Sequence, residues 1–235
     1  MNTVIVGGPH SGVGKTLASE LAIAALSDHR VGAIKLTVAD GERDPAHDHG
    51  SALAAVAATG ICGRGASCGV CETVSVKIPY RLITNAGAIA KPGTDTCRLL
   101  HAGALAVAWV IALRSAAPKA LEKAMTCLEN AGAQIVVIEG TTALEWIRPD
   151  FSALIGTDPG KKWKQVAVQH ANRCSIVLRN VMPVAPGSIA APGEFWAAKP
   201  MECDLTDSSN PGTVEFVRRL KARLTPLARP RSAAR

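Results

Sequence analysis

Aromatic residues are scarce: Phe, Trp and Tyr together make up 3% of the 235 residues, with a single Tyr. A protein that reads single-stranded nucleic acid needs exposed rings on which bases can stack, so no nucleic-acid partner is expected. Long apolar runs are also missing. The longest, 102–113, has 12 residues, short of the ~20 that a membrane-spanning helix needs. No basic stretch leading into an apolar core opens the chain, so a cytoplasmic protein without membrane contact is expected. Nor does the body of the chain carry excess charge of either sign. The net charge of +7 lies in residues 218–235, which hold 7 basic and no acidic side chains, while the remaining 217 residues carry 19 of each. The basicity therefore belongs to a C-terminal helix end and tail, where a solvated surface is the simplest account.

What is present is a chain that can bury a sizeable core: 48% hydrophobic and 19% charged residues exclude a disordered or fibrous protein. Short runs rich in Val, Ile, Leu and Ala at 3–6, 31–36, 105–113, 134–138, 153–155 and 175–178 read as strands. They are nearly continuous rather than alternating, as expected where both faces of a sheet are covered. Helical stretches at 15–27, 118–131 and 161–172 lie between them. In the last, Trp163, Val166 and His170 share a stripe. A final helix follows Asn210-Pro211, with Asn as cap, Pro in the first turn and Val217, Leu220 and Leu224 at helical spacing. The fold class is α/β, a mostly parallel sheet flanked by helices on both faces. A nucleotide-binding domain over 1–217 would contain an insertion at 41–88, with 218–235 as the basic end. The insertion holds an Ala-rich helical stretch at 51–59, a Gly/Cys run and an alternating strand at 73–78. It has few large apolar residues, so a bound metal would have to hold it together.

The opening TVIVGGPHSGVGKT is strand, glycine-rich loop, then Lys-Thr at the start of a helix. A triphosphate needs several converging backbone N–H donors, a cation at the β/γ oxygens and a hydroxyl for Mg²⁺. Gly12, Val13, Gly14, Lys15 and Thr16 can supply these. A P-loop also needs an acid at the end of a neighbouring strand to hold the metal or its water. QIVVIEGT places Glu139 there, followed by Gly140, which can come close to a γ-phosphate, and Asp40 past the second strand is a further Mg²⁺ candidate in a switch-like loop. Asn180 ends SIVLRN, where related folds place a base-reading Asn, but no N-K-x-D follows, so ATP and GTP both stay open.

The spacing G-x5-G-K-T from Gly8 to Thr16 resembles the loop of dethiobiotin synthetase and cobyrinate amide synthases, within the broad class of MinD-type ATPases. Many MinD-type members carry a signature lysine five residues before the loop lysine. His10 stands there, so their dimer-activated behaviour is not implied. VGAIKLTVADG, KPGTDTCRLLHAGALAVAWV and IVVIEGTTALEWIRPD resemble the molybdopterin-guanine dinucleotide biosynthesis adaptor (MobB-type) family. There a strand ends in I-K-H, a P-G-x-D-[ST] segment opens a helix and a strand ends in E-G. The resemblance points to Lys15 and Thr16 in the loop, Lys35 after the second strand, Asp95 with Thr96, and Glu139; Lys15, Asp95 and Glu139 are the catalytic candidates, with Lys35 among the nucleotide-binding residues. Leu36 replaces the family's His, and the cysteine-bearing 41–88 segment lies outside the family pattern.

Cys62, Cys68 and Cys71 form C-x5-C-x2-C among Gly60, Gly63, Gly65 and Gly69. Thiolates bind soft metals, and a C-x2-C pair brings two sulfurs to one centre from a tight turn. Glycines leave backbone N–H groups free to bond cluster sulfurs. A [4Fe-4S] cluster is the leading expectation, with Zn²⁺ and free redox thiols as alternatives. Cys97 would be the fourth ligand, with His47, His49 or Cys203 in reserve. HDH at 47–49 beside Asp44 is best taken as a solvated loop, and Cys127 and Cys174 as small buried hydrophobes. Trp109 and Trp146 are expected in the core, while Trp163 and Trp196 say little.

Three functions follow. The first is a P-loop NTPase with an iron–sulfur cluster, acting with a metalloenzyme or cofactor-assembly partner in making or inserting a metal-containing cofactor; a homodimer is compatible with it. The second is an ATP-dependent small-molecule ligase or kinase of the dethiobiotin synthetase type, with a zinc-stapled lid. The third is a non-catalytic, nucleotide-dependent adaptor.

Overall fold

A computed structural model describes residues 1–39, 74–157, 165–181 and 200–224. Asp40, Asp44, His47, His49, Cys62, Cys68, Cys71, Trp163 and Trp196 lie outside the described residues. Those described form an eight-stranded sheet with helices on both faces. In chain order the strands are β1 (Asn2–Gly7), β2 (Val31–Ala39), β3 (Tyr80–Ile83), β4 (Ala106–Leu113), β5 (Ile135–Glu139), β6 (Phe151–Gly156), β7 (Ile176–Asn180) and β8 (Met201–Cys203). The helices are α1 (Lys15–Ala25), α2 (Ala86–Ile89), α3 (Asp95–His101), α4 (Ala117–Asn130), α5 (Gln165–Ala171) and α6 (Pro211–Leu224). The spatial order is β3-β4-β2-β5-β1-β6-β7-β8, and every neighbouring pair is parallel except β3 with β4. Among the described residues no helix is long and apolar enough to cross a membrane.

Strand alternation divides the core. On one face Val4, Val6, Ala33, Val137 and Ile155 pack with Ala22 and Ile23 of α1 and Phe216 and Leu220 of α6. On the other face Ile5, Ile34, Val110 and Ile138 pack with Ala120, Leu121 and Leu128 of α4. The two-residue period thus sends successive side chains of β1, β2 and β5 to different helices. That explains why these strands read as unbroken apolar runs.

The structure corrects several expectations. Residues 74–78 are not a strand: Ser75 N donates to Ile78 O at 2.9 Å, closing a turn, and Val76 is 91% exposed. The apolar alternation there reflects no sheet face. The strand lies just beyond, in β3, which is the antiparallel edge on β4. The last part of segment 41–88 therefore belongs to the sheet. Cys127 is exposed, because α4 buries Ala120, Leu121, Ala124 and Leu128 and turns position 127 outward. Trp109 and Trp146 are only partly buried, although both pack on core clusters. The described part of the 161–172 helix is α5, which buries Val166, Ala167 and Ala171. In α6, Leu220 and Leu224 are buried as their spacing implies, and Phe216 joins them at 0% exposure.

Phe216 lies 6.1 Å from the Phe151 ring, tying α6 to the start of β6. Phe216→Ala should destabilise the protein by about 3–5 kcal/mol through a cavity at this joint. Val214→Ala, on the outer side of the same helix at 49% exposure, should stay within about 0.5 kcal/mol. Urea unfolding midpoints of the two variants would check both.

Candidate functional site

Of the residues singled out, Gly12, Gly14, Lys15 and Thr16 of the P-loop, Lys35 midway along β2, Glu139 at the end of β5 and Asp95 at the start of α3 line one cleft of about 370 Å³. Strand geometry brings them together. Lys35 and Glu139 are paired in register on the neighbouring parallel strands β2 and β5. Each keeps step with the strand residues that face α1, since Val31 and Ala33 precede Lys35, and Ile135 and Val137 precede Glu139, in that cluster. β1 is the other neighbour of β5, with Val6 opposite Glu139. The loop leaving β1 therefore begins beside the two charged residues.

The loop turns into α1 through Gly14, whose φ of 99° is in the left-handed region. A Cβ there would also come within 2.7 Å of Asn180 Nδ2. Glycine is demanded on both counts. Among the described residues no side chain caps α1, and no acid sits in its first turn. Its first backbone N–H groups are thus left without a side-chain cap, a natural place for an anion. Lys15 Nζ donates to the His10 carbonyl at 2.6 Å, folding the lysine back over the loop.

Behind it lies a four-residue polar cluster. Lys35 Nζ donates to Asp95 Oδ2 and to Glu139 Oε1, each at 2.5 Å. Thr16 Oγ1 is 3.1 Å from both Asp95 Oδ1 and Glu139 Oε1, and its one proton can serve only one of them at a time. Glu139 is 1% exposed, and among the described residues its Oε2 has no hydrogen-bond partner. Burial works to lower the Lys35 pKa, but the charges of Glu139 and Asp95 outweigh it and hold the ammonium above its ordinary value. Burial likewise works to raise the Asp95 carboxyl, but the Lys35 charge, with hydrogen bonds from Lys35 and Thr16, holds it below the usual range. Two acids and a hydroxyl converge here, with one buried oxygen unpaired. That donor set is all oxygen and suits Mg²⁺.

Asp95 is the first residue of α3, and Thr94 caps that helix by accepting from Cys97 N. Thr96 turns away and donates to Ile89 O. Arg98, one turn on, grips Glu20 of α1 with two hydrogen bonds of 2.7 Å. This pair holds α3 against α1, and no spacing in the sequence links the two residues. Thr141 was not singled out by sequence either, although it follows Glu139 and Gly140 directly. Its Oγ1 accepts from Gly8 N at 2.8 Å and donates to Gly8 O at 2.7 Å, pinning the loop entrance to the residues after β5. Gly140 is required by its neighbour: a Cβ would lie 2.7 Å from Leu36 Cβ.

Asn180 is placed differently from a residue open to a nucleobase. It is 2% exposed, its Nδ2 donates to Val13 O at 3.2 Å, and its Oδ1 accepts from Leu205 N at 3.1 Å. It braces the P-loop from behind. The cysteine site lies mostly outside the described residues. Cys97 is buried, with its Sγ 3.9 Å from His101 Nε2. Cys203 is 1% exposed, and burial, then Asp204, push its thiol up to about 12. Burial also raises the half-buried Cys174 thiol. Among the described residues no group of three His, Cys, Asp or Glu could hold a metal ion. A larger cleft, about 760 Å³, opens among Trp146, Asp150, His170 and Arg173, and neither the P-loop nor the Lys35 cluster lines it.

Asn180→Ala should cost about 1–3 kcal/mol by leaving the Val13 carbonyl and the Leu205 amide unpaired. Thermal unfolding would measure the loss. A brace should weaken ATP and GTP binding alike, whereas a base reader would change their ratio, so titrating both nucleotides separates the roles.

No protein-family model matches this chain, and no curated protein sequence matches it. Among solved structures, the crystal structure of a plasmid partition protein from Borrelia burgdorferi aligns with 95% of this chain and 98% of its own, at 10% identity and a TM-score of 0.41. It is a distant likeness, at which neither ligand nor partner transfers. The described residues have the α/β architecture expected from the sequence, a mostly parallel eight-stranded sheet with a glycine-rich loop between its first strand and first helix.

Proposed function

We propose that the protein binds a nucleoside triphosphate with Mg²⁺ and hydrolyses it slowly. One observation carries this. The uncapped positive end of α1 stands beside Lys15, Thr16, Asp95 and Glu139, so anion-binding and cation-binding groups share one cleft. Loop amides and Lys15 would hold the β- and γ-phosphates. Thr16, Asp95 and Glu139 would hold Mg²⁺ or its water shell. The metal would supply charge neutralisation on the phosphate oxygens. Thr141 keeps the loop seated on β5 while the phosphates bind. Glu139, buried and with a lone oxygen, can orient a water by accepting its hydrogen bond. Both ATP and GTP fit this reading.

The finer assignment to cofactor assembly rests on two sequence features. These are the resemblance of residues around Lys35, Asp95 and Glu139 to MobB-type adaptors and the spacing of Cys62, Cys68 and Cys71. In this reading the three cysteines hold an iron–sulfur cluster or a zinc ion, and the protein works with a metalloenzyme partner. Iron, zinc and sulfide analysis of anaerobically purified protein should find such a centre. It should be lost in a Cys68→Ser, Cys71→Ser double variant, and metal-free wild-type protein would end this assignment.

Lys15→Ala should weaken ATP and GTP binding by about tenfold to a hundredfold, the scale of a lost charge-assisted hydrogen bond. Isothermal titration with Mg²⁺ present would show it. Wild-type protein that bound neither nucleotide would overturn the function.

A further inference from the structure

The cleft holds a charge problem that nucleotide binding alone leaves unanswered. Asp95 and Glu139 present two carboxylates around one hydroxyl, and Glu139 is almost wholly out of water. An anion so buried needs a cation close by whenever no metal is bound. Lys35 supplies it. The ammonium contacts one oxygen of each acid at 2.5 Å. One of these, Glu139 Oε1, is also an oxygen that Thr16 Oγ1 approaches. The lysine is thus seated on oxygens a divalent cation would use. Its side chain is only 19% exposed, so it has little room to share them.

We propose that Lys35 is the resident counter-ion of the Asp95–Glu139 pair: its ammonium stands in for the divalent cation and must move off these oxygens when the metal arrives. The inference rests on the nucleotide reading and adds a rule for the order of binding. Two carboxylates and one ammonium leave a single negative charge. A free divalent cation would turn that into a single positive charge, with two cations competing for the same oxygens. A triphosphate brings several negative charges to the front of α1, in the same cleft as Lys35. It gives the displaced ammonium an anion to face, so both cations can then be held. Divalent metal without nucleotide should therefore bind weakly, and metal and nucleotide should bind together, with Lys35 as the coupling element.

The test uses Mn²⁺ as the probe, followed by electron paramagnetic resonance, on the full chain. In the absence of nucleotide, Lys35→Met should bind Mn²⁺ about tenfold or more tightly than wild type. Lys35→Arg, which keeps the charge, should bind it as weakly as wild type does. The factor by which ATP or GTP tightens Mn²⁺ binding should shrink in Lys35→Met. A Lys35→Met protein that is folded by circular dichroism and yet binds free Mn²⁺ no more tightly than wild type would overturn the proposal. Should that variant not fold, wild-type protein labelled with ¹⁵N-lysine decides the matter. The Lys35 Nζ signal must shift when Mg²⁺ and a non-hydrolysable ATP or GTP analogue are added together, and an unmoved signal rejects displacement. Failure of wild type to bind either nucleotide would count against the proposed function alone, because the free-metal comparison needs no nucleotide.

Discussion

A carboxylate cannot stay ionised in a protein interior without a partner, and Glu139 at the end of a central strand is the place where this chain meets that constraint. Its solution is an ammonium directly across the strand pair, held in register by the β2–β5 ladder. Much else follows from keeping the two side by side. The Arg98–Glu20 fork sets α3 against α1 so that Asp95 can complete the cluster. The Thr94 cap fixes where α3 begins and hence where Asp95 sits. Thr16 closes the remaining side from the first turn of α1.

The P-loop is held from two directions. Thr141 makes paired hydrogen bonds with Gly8, while Asn180 reaches Val13 and ties it to Leu205 beyond β8. A glycine-rich loop loses much conformational entropy on ordering. Anchors at both ends offset part of that cost by fixing where the loop leaves β1 and where it enters α1. The short edge strand β8 matters through this link, since it is the base from which Leu205 meets Asn180. Gly212 lets α6 pack on that edge, where a Cβ would run into the Glu202 carbonyl at 1.9 Å.

How much of this could be read from the chain depended on whether the signal was local. The six central strands are continuous apolar runs, and the P-loop is a contiguous motif with its own physical logic, so both were legible. Glu139 was legible too, as an acid at the end of such a run. The short edge strands β3 and β8 were not, because segments of that length carry no period to measure. The 73–78 alternation misled because a turn can expose Val76 and Ile78 as easily as a sheet can bury them. Cys127 was misplaced because a lone cysteine on a helix takes whichever side the larger apolar residues leave over.

The amino-acid order alone determined the fold class, the glycine-rich turn, the loop lysine with its threonine, the acid that ends β5 and the acid that opens α3. Each of these is a matter of neighbours within a few residues. Only the folded sheet decided that Lys35 faces Glu139, that Asp95 joins them from the start of α3, and that Asn180 turns inward to hold the loop. Those outcomes depend on strand register and helix placement between segments far apart in the chain, and no local pattern encodes a distance of that kind.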